Sequence, residues 1–203
     1  MYTPKHYKNE NINDAIAFIE RFNFGVMIST KSDKPIATHL PFVVSKKNNK
    51  IILTSHFAKA NEQAIDIEEK EILTIFSEPH AYISPKFYDK KQNVPTWNYI
   101  AVHTYGKVEI IRDEKNVFLV LEQMISNFDS AYLKQWNDLS FNYKSKMAKG
   151  IIAFKITIDE IQFKEKLSQN KTEKERQKII SNFSKSNSLH EKTIAEFMDK
   201  NEQ

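Results

Sequence analysis

Apolar side chains recur at two spacings in this chain: every second residue in some stretches, every third or fourth in others. The period of two predicts strands over residues 24–30, 36–44, 51–55, 72–76, 81–84, 94–111 and 151–158. In the second of these, Ile36, Thr38, Leu40, Phe42 and Val44 share a face. Ser32-Asp33-Lys34-Pro35 and residues 46–49 are turn-forming, so the first three strands predict antiparallel hairpins. Helical spacing places Ile12, Ala15, Ile16, Ile19 and Phe22 on one stripe behind a capping Asn13. It does the same for Val117, Val120, Leu121, Met124, Ile125 and Phe128 behind Asp113. Residues 59–69 predict a further helix, 130–149 show no clear period, and 161–170 read as polar and partly extended. Two helices close the chain, with capping-box pairs Thr172/Glu175 and Ser188/Glu191. Strands that come in hairpins, not in alternation with helices, predict a mainly β fold: an antiparallel sheet or barrel with peripheral helices.

The run from 92 to 106 contains no Lys, Arg, Asp or Glu, yet it is rich in rings and hydrogen-bonding groups. One face is Asn98, Ile100, Val102, Thr104, Gly106, Val108 and Ile110, an ordinary core face. The other is Trp97, Tyr99, Ala101, His103 and Tyr105. Such a row packs under a helix or a partner subunit, or it walls a planar ligand.

Composition narrows the chemistry. The 203 residues fit one domain, or one domain with a helical appendage. There is no cysteine, which excludes disulfides, thiol catalysis and Cys-ligated metal clusters. Gly25, Gly106 and Gly150 are the only glycines and lie far apart, which excludes a P-loop, a GxGxxG turn and a GxSxG elbow. A phosphate must therefore be held by side-chain cations, hydroxyls or a helix N-terminus. The net charge of +4 comes from 30 basic and 26 acidic residues, interspersed; it mildly favours acidic partners without indicating nucleic acid. The polar start MYTPKHYKNENIN is unlike a signal peptide and no apolar stretch reaches transmembrane length, so a cytoplasmic protein with no membrane partner is expected.

Ser55-His56-Phe57-Ala58-Lys59-Ala60-Asn61 offers a hydroxyl, an imidazole, an ammonium and an amide where a strand gives way to a helix. It reads either as a glycine-free phosphate cradle or as a polar turn with a capping serine. Ala37-Thr38-His39-Leu40-Pro41 places a proline within a strand, which means an edge or a broken ladder. The histidines (His6, His39, His56, His80, His103, His190) include no i, i+4 pair and no HExxH, so no metal site is expected. His80 and His103 are candidate acid–base groups beside a structural reading of each. The charged stretch 171–178 alternates in sign and reads as a solvated helix face, and no DNA-reading element stands out.

At MYTPKHY, ATHLPF (37–42), SHFAKAN (55–61), IFSEPHAYISPKFY (75–88), VPTWNYIAVHTYGKVEII (94–111) and KLSQNK (166–171), the chain resembles the FMN-binding negative transcriptional regulators of the PaiB type. The resemblance implies an antiparallel split β-barrel of the flavin-reductase and pyridoxamine-oxidase type. The barrel would take residues 1–170 and a C-terminal helical appendage residues 171–203. It implies a homodimer with FMN sites across the subunit interface, and a role in repressing transcription, mainly of sporulation and degradative-enzyme genes. Thr38, His39 and Leu40 would border the isoalloxazine. Lys59 would hold the phosphate with Ser55, His56 and Asn61. Trp97 and Asn98 would approach from the other subunit, and Ser168, Gln169 and Asn170 would close the site. Two alternatives stand beside it: an FMN-dependent oxidoreductase of a small molecule, with His80, His103 or Tyr99 supplying protons, and a barrel without FMN acting through protein contacts.

Overall fold

The structure is a computed structural model and describes residues 1–202. In chain order the elements are β1 (Lys8–Asn9), α1 (Ile12–Arg21), β2 (Phe24–Lys31), β3 (Lys34–Pro41), β4 (Val43–Lys47), β5 (Lys50–Ala58), β6 (Glu71–Ile83) and β7 (Thr96–Ile111). Then come α2 (Glu114–Phe128), α3 (Tyr132–Asp138), α4 (Phe141–Ala148), β8 (Ile151–Lys166), α5 (Glu173–Phe183) and α6 (Leu189–Lys200). The strands follow the order β3-β2-β6-β7-β8-β5-β4, with β1 pairing β8 off this path. The pairs β1–β8, β2–β3, β2–β6, β4–β5 and β5–β8 are all antiparallel.

The chain divides into two compact units: Asn13–Phe76 with His103–Ile161, and Met1–Ile12 with Ser77–Val102 and the residues from Gln162 onward.

In the first, larger unit, Ser32 and Asp33 adopt positive φ at the β2–β3 turn, and Asn48 and Asn49 do so at the β4–β5 turn. Short polar residues tolerate that backbone, so both hairpins close tightly. The expected strand over 36–44 is two strands: β3 ends at Pro41, Phe42 breaks the ladder, and β4 begins at Val43. Proline has no N–H to continue the pairing, and β3 lies at one end of the strand order. Phe42, Phe57, Phe76 and Phe154 fill the core; Phe57 and Phe154 stack at 4.8 Å, and Phe42 meets Phe76 edge-on at 5.5 Å. Val117, Val120 and Met124 of α2 pack with Val43, Ala148 and Ala153 in a second cluster. Asp113 caps α2 as expected, accepting from Asn116 N. The aperiodic stretch 130–149 contains α3 and α4. The helix expected over 59–69 is only a 3-10 turn, Glu62–Asp66.

In the second unit, α5 and α6 bury Phe183, Ile179, Ile194 and Met198; α6 meets β7 through Met198, whose Sδ accepts from Asn98, and β6 through His190, whose ring centre is 4.5 Å from that of His80. Phe87 meets Phe183 edge-on at 5.8 Å. The Thr172/Glu175 capping box is complete, and Glu175 also accepts from Asp89 N at 3.0 Å. At α6 only the serine half forms: Ser188 accepts from Glu191 N.

Candidate functional site

The segment after β5 is held from three sides in the larger unit. Lys59 N donates to Gly150 O at 2.8 Å. Asn61 accepts from Gln63 N through Oδ1 at 2.9 Å and donates from Nδ2 to Thr38 Oγ1 at 3.0 Å. Gln63 is buried, and its Nε2 lies 3.0 Å from Ser29 Oγ, 3.2 Å from Met27 O and 3.3 Å from Ile36 O. Two amides thus fasten the SHFAKAN segment to the β2–β3 hairpin. Gln63 was not singled out from sequence; its only local sign is the position two after a capping Asn61.

The side chain of Lys59 lines a cavity of about 740 Å³ with Ile65, Glu68, Arg112, Ser145 and Lys149. Arg112 is neutralised by Glu68 through two contacts of 2.6 Å, and Ser145 donates to Glu114. The Arg112 guanidinium holds the Glu68 carboxyl below its ordinary range, chiefly through that hydrogen bond. Among the described residues neither Lys59 nor Lys149 makes an ion pair; with Arg112 against Glu68 and the Glu114 carboxylate also lining the cavity, three cations and two carboxylates leave it a formal charge of +1. Its volume falls within the range that holds a small organic ligand.

The remaining expected site residues take different positions. Thr38 is half-buried, and His39 is exposed, its ring stacked against Phe24 at 6.3 Å. Leu40 is buried. Ser55 is fully buried, with its hydroxyl donating to Pro41 O at 2.7 Å, where it ties β5 across the β3–β4 break. His56, on the opposite side of β5, lies 3.3 Å from Met124 Sδ through Nδ1; burial pulls its pKa below 6.5 and keeps it neutral near pH 7. Of these residues the cavity includes Lys59 alone. His103 is likewise held below 6.5 by burial, and its Nδ1 is buried without a hydrogen-bond partner.

In the smaller unit, Trp97 is 52% exposed and Asn98 is fully buried. Asn98 accepts from Ser168 Oγ at 3.1 Å and donates to Met198 Sδ at 3.6 Å. Gln169 folds back on its own turn, accepting from Leu167 N and donating to Glu165 O. Asn170 is exposed. Asn98, Ser168 and Gln169 therefore fix the local backbone, while Trp97 and Asn170 present free surface. Sequence reading also passed over Lys164: it is buried, donates to Tyr2 O at 3.0 Å and lies 4.9 Å from the Tyr99 ring centre. Burial lowers the pKa of the neighbouring Lys166, aided by the charge of Lys164.

The chain superposes on a flavocytochrome, Anf3, from Azotobacter vinelandii with a TM-score of 0.63 at 14% identity, over 81% of this chain and 72% of that one. A second likeness is to a Bacteroides thetaiotaomicron protein described as a "putative 5-nitroimidazole antibiotic resistance protein", with a TM-score of 0.58 at 14% identity over 77% and 85% of the two chains. The fold is the expected one, an antiparallel split β-barrel class with C-terminal helices. The chain belongs to the family described as "Putative FMN-binding domain", whose model matches residues 1–160. Among its relatives is the "Protease synthase and sporulation protein PAI 2" of Bacillus subtilis strain 168, 38% identical over 203 residues, 98% of this chain and 97% of that protein. An Emericella nidulans protein is 31% identical over 72% of this chain and 74% of its own length. Among the described residues, no helix is long and apolar enough to cross a membrane.

Proposed function

We propose that this chain binds FMN and acts as a negative transcriptional regulator, with the flavin as a structural or redox-sensing ligand. One observation supports the reading most: Lys59 is an ammonium without an ion-pair partner on a doubly anchored backbone, lining a cavity of ligand size and net positive charge, in a chain of an FMN-binding-domain family. Lys59 would neutralise the phosphate, and the Asn61–Thr38 hydrogen bond would keep that cation beside β3, where Thr38, His39 and Leu40 would border the ring. Bound FMN supplies a reversible redox couple at its ring system. Two copies of the chain would form a homodimer with the sites at the interface, and Trp97 of a second copy would offer its exposed ring to the flavin. Ser55, Asn98 and Ser168 would act by holding strands and turns in place. The regulatory part draws on the name of the Bacillus subtilis relative, which refers to protease synthesis and sporulation.

The first test is the visible spectrum of the purified chain before and after adding FMN and desalting. Flavin absorbance at about one per chain is expected, as a symmetric dimer with two equivalent sites requires. Lys59→Ala should weaken FMN by about 1.5–3 kcal/mol, the worth of a charge-assisted contact to phosphate. A colourless chain that refuses FMN would remove the flavin reading and leave a barrel that works through protein contacts. For the regulatory part, promoter fragments should shift in a salt-sensitive manner; no shift at micromolar protein would refute direct action on DNA.

A second reading, an FMN-dependent oxidoreductase, draws on His103, a neutral imidazole with a buried unpartnered nitrogen on the aromatic side of β7. NADH or NADPH oxidation no faster than that of free FMN would eliminate its simple form.

A further inference from the structure

The outer part of β6 and the first turn of α6 bring three metal-ligand side chains together in the smaller unit. Glu78 and His80 are two positions apart on a strand and project to the same side. His190 follows the capping Ser188 by two residues, in the first turn of α6. One donor atom from each of Glu78, His80 and His190 lies within 4.8 Å of the other two. The imidazole centres of His80 and His190 are 4.5 Å apart. His190 Nδ1 is 3.2 Å from Glu78 Oε2, yet that nitrogen is shielded from solvent and makes no aligned hydrogen bond. An imidazole nitrogen turned toward a carboxylate, with a second imidazole at van der Waals distance, matches the donor set of a transition-metal site more closely than a simple ion pair. Trp97 lies 6.0 Å from His80 between ring centres, and Tyr82 meets Trp97 edge-on at 5.8 Å.

We propose that Glu78, His80 and His190 bind a divalent transition-metal ion, with Zn2+ as the best-matched ion. Two imidazoles and one carboxylate suit Zn2+ and its neighbours; Ca2+ and Mg2+ prefer an all-oxygen shell. Donors around tetrahedral Zn2+ stand about 3.3 Å apart. The His190–Glu78 contact already has that spacing, and the exposed His80, its donor within 4.8 Å of the other two, has two edges to shorten on binding. Three protein donors leave one position for water or an exchangeable ligand, the pattern of reactive rather than closed sites. The proposal does not rest on the flavin reading, since none of Glu78, His80 and His190 is assigned to holding FMN; Trp97, assigned to the flavin of a second copy, is a neighbour of the cluster and not a ligand.

The test uses the full, tag-free chain. Isothermal titration with Zn2+ should show one ion per chain with a Kd of about micromolar or tighter. The Co2+ form should show the intense visible bands of a low-coordinate site, a readout that needs no variant. His80→Asn and His190→Asn should each weaken Zn2+ by at least about tenfold, while His6→Asn, at an exposed position outside the cluster, should leave it unchanged; far-UV circular dichroism checks that each variant is folded. No saturable Zn2+ binding below about 100 µM, a Co2+ spectrum identical to that of the free aqueous ion, or full-strength binding in both histidine variants would each overturn the proposal.

Discussion

Gly106 tests the packing of β7 on β8 directly, through backbone atoms alone. A Cβ at this position would stand 2.2 Å from Thr157 O, 2.9 Å from Thr157 C and 3.0 Å from the Cα of Ile158. All three are backbone atoms of β8, so no side-chain rotation relieves the clash. Nonbonded carbon contacts settle at about 3.5 Å or more, so the strands would have to part by roughly 1 Å. Overpacking of this kind costs about 1–3 kcal/mol, and each ladder hydrogen bond stretched by the separation adds about 1 kcal/mol. Alanine returns about 0.4–1 kcal/mol by restricting the unfolded chain. Gly106→Ala should therefore lose about 2–3 kcal/mol, read as ΔG from urea unfolding. Gly150→Ala is the control: its Cβ meets only Met147 O, at 3.2 Å, and φ is not positive. That variant should stay within about 0.5 kcal/mol of the parent. If Gly106→Ala were no less stable than Gly150→Ala, the close approach of β7 to β8 would be refuted.

Phe154→Ala removes a fully buried ring that stacks on Phe57 and meets Phe42 edge-on, and should cost about 3–5 kcal/mol in the same assay. Thr172→Ala removes one half of the α5 capping box and should cost about 1 kcal/mol; no loss would mean that α5 is held by packing alone. His56 is depressed below 6.5 by burial, so the unfolded chain takes up this proton more readily than the folded one. Stability should then be full above pH 6.5, fall as pH drops below it, and level off once the folded pKa is passed; His103 adds to the loss with the same sign. His56→Gln should flatten that decline, and an unchanged pH profile of ΔG would contradict the burial of His56.

The period-two reading recovered β2, β5 and β7 because each keeps one phase of inward positions, and β7 keeps it from Asn98 to Val108. It split β6 in two for an identifiable reason. Buried positions in β6 are Ile72, Thr74 and Phe76, then Pro79, Ala81 and Ile83, so the inward face changes parity between Phe76 and Pro79. A strict alternation cannot continue through such a slip, and the polar Ser77-Glu78 pair within it resembles a loop. β8 behaves likewise: Phe154, Ile156 and Ile158 are inward, then Asp159 and Glu160 are exposed, then Phe163 is buried again, so its second half was read as a partly extended tail. Both slips fall at borders of the two compact units.

The candidate side chains show a similar division. Ser55, His56, Lys59 and Asn61 stand out in the sequence because they share one short run, whereas the partners that commit Ser55 to Pro41, Asn61 to Thr38 and Asn98 to Ser168 lie 14, 23 and 70 residues away. The Glu78–His80–His190 cluster is the extreme case. Its spacing of two along β6 is invisible to a search for helical i, i+4 ligands, and its third member enters from a helix more than a hundred residues later. Histidine spacing along a chain therefore excludes only metal sites built on one element. A site assembled from a strand face and a helix start is fixed by the packing of α6 against β6, so a substitution that loosens that packing without touching a ligand, such as Ile194→Ala at a fully buried α6 position, should weaken Zn2+ along with stability if the cluster binds as proposed.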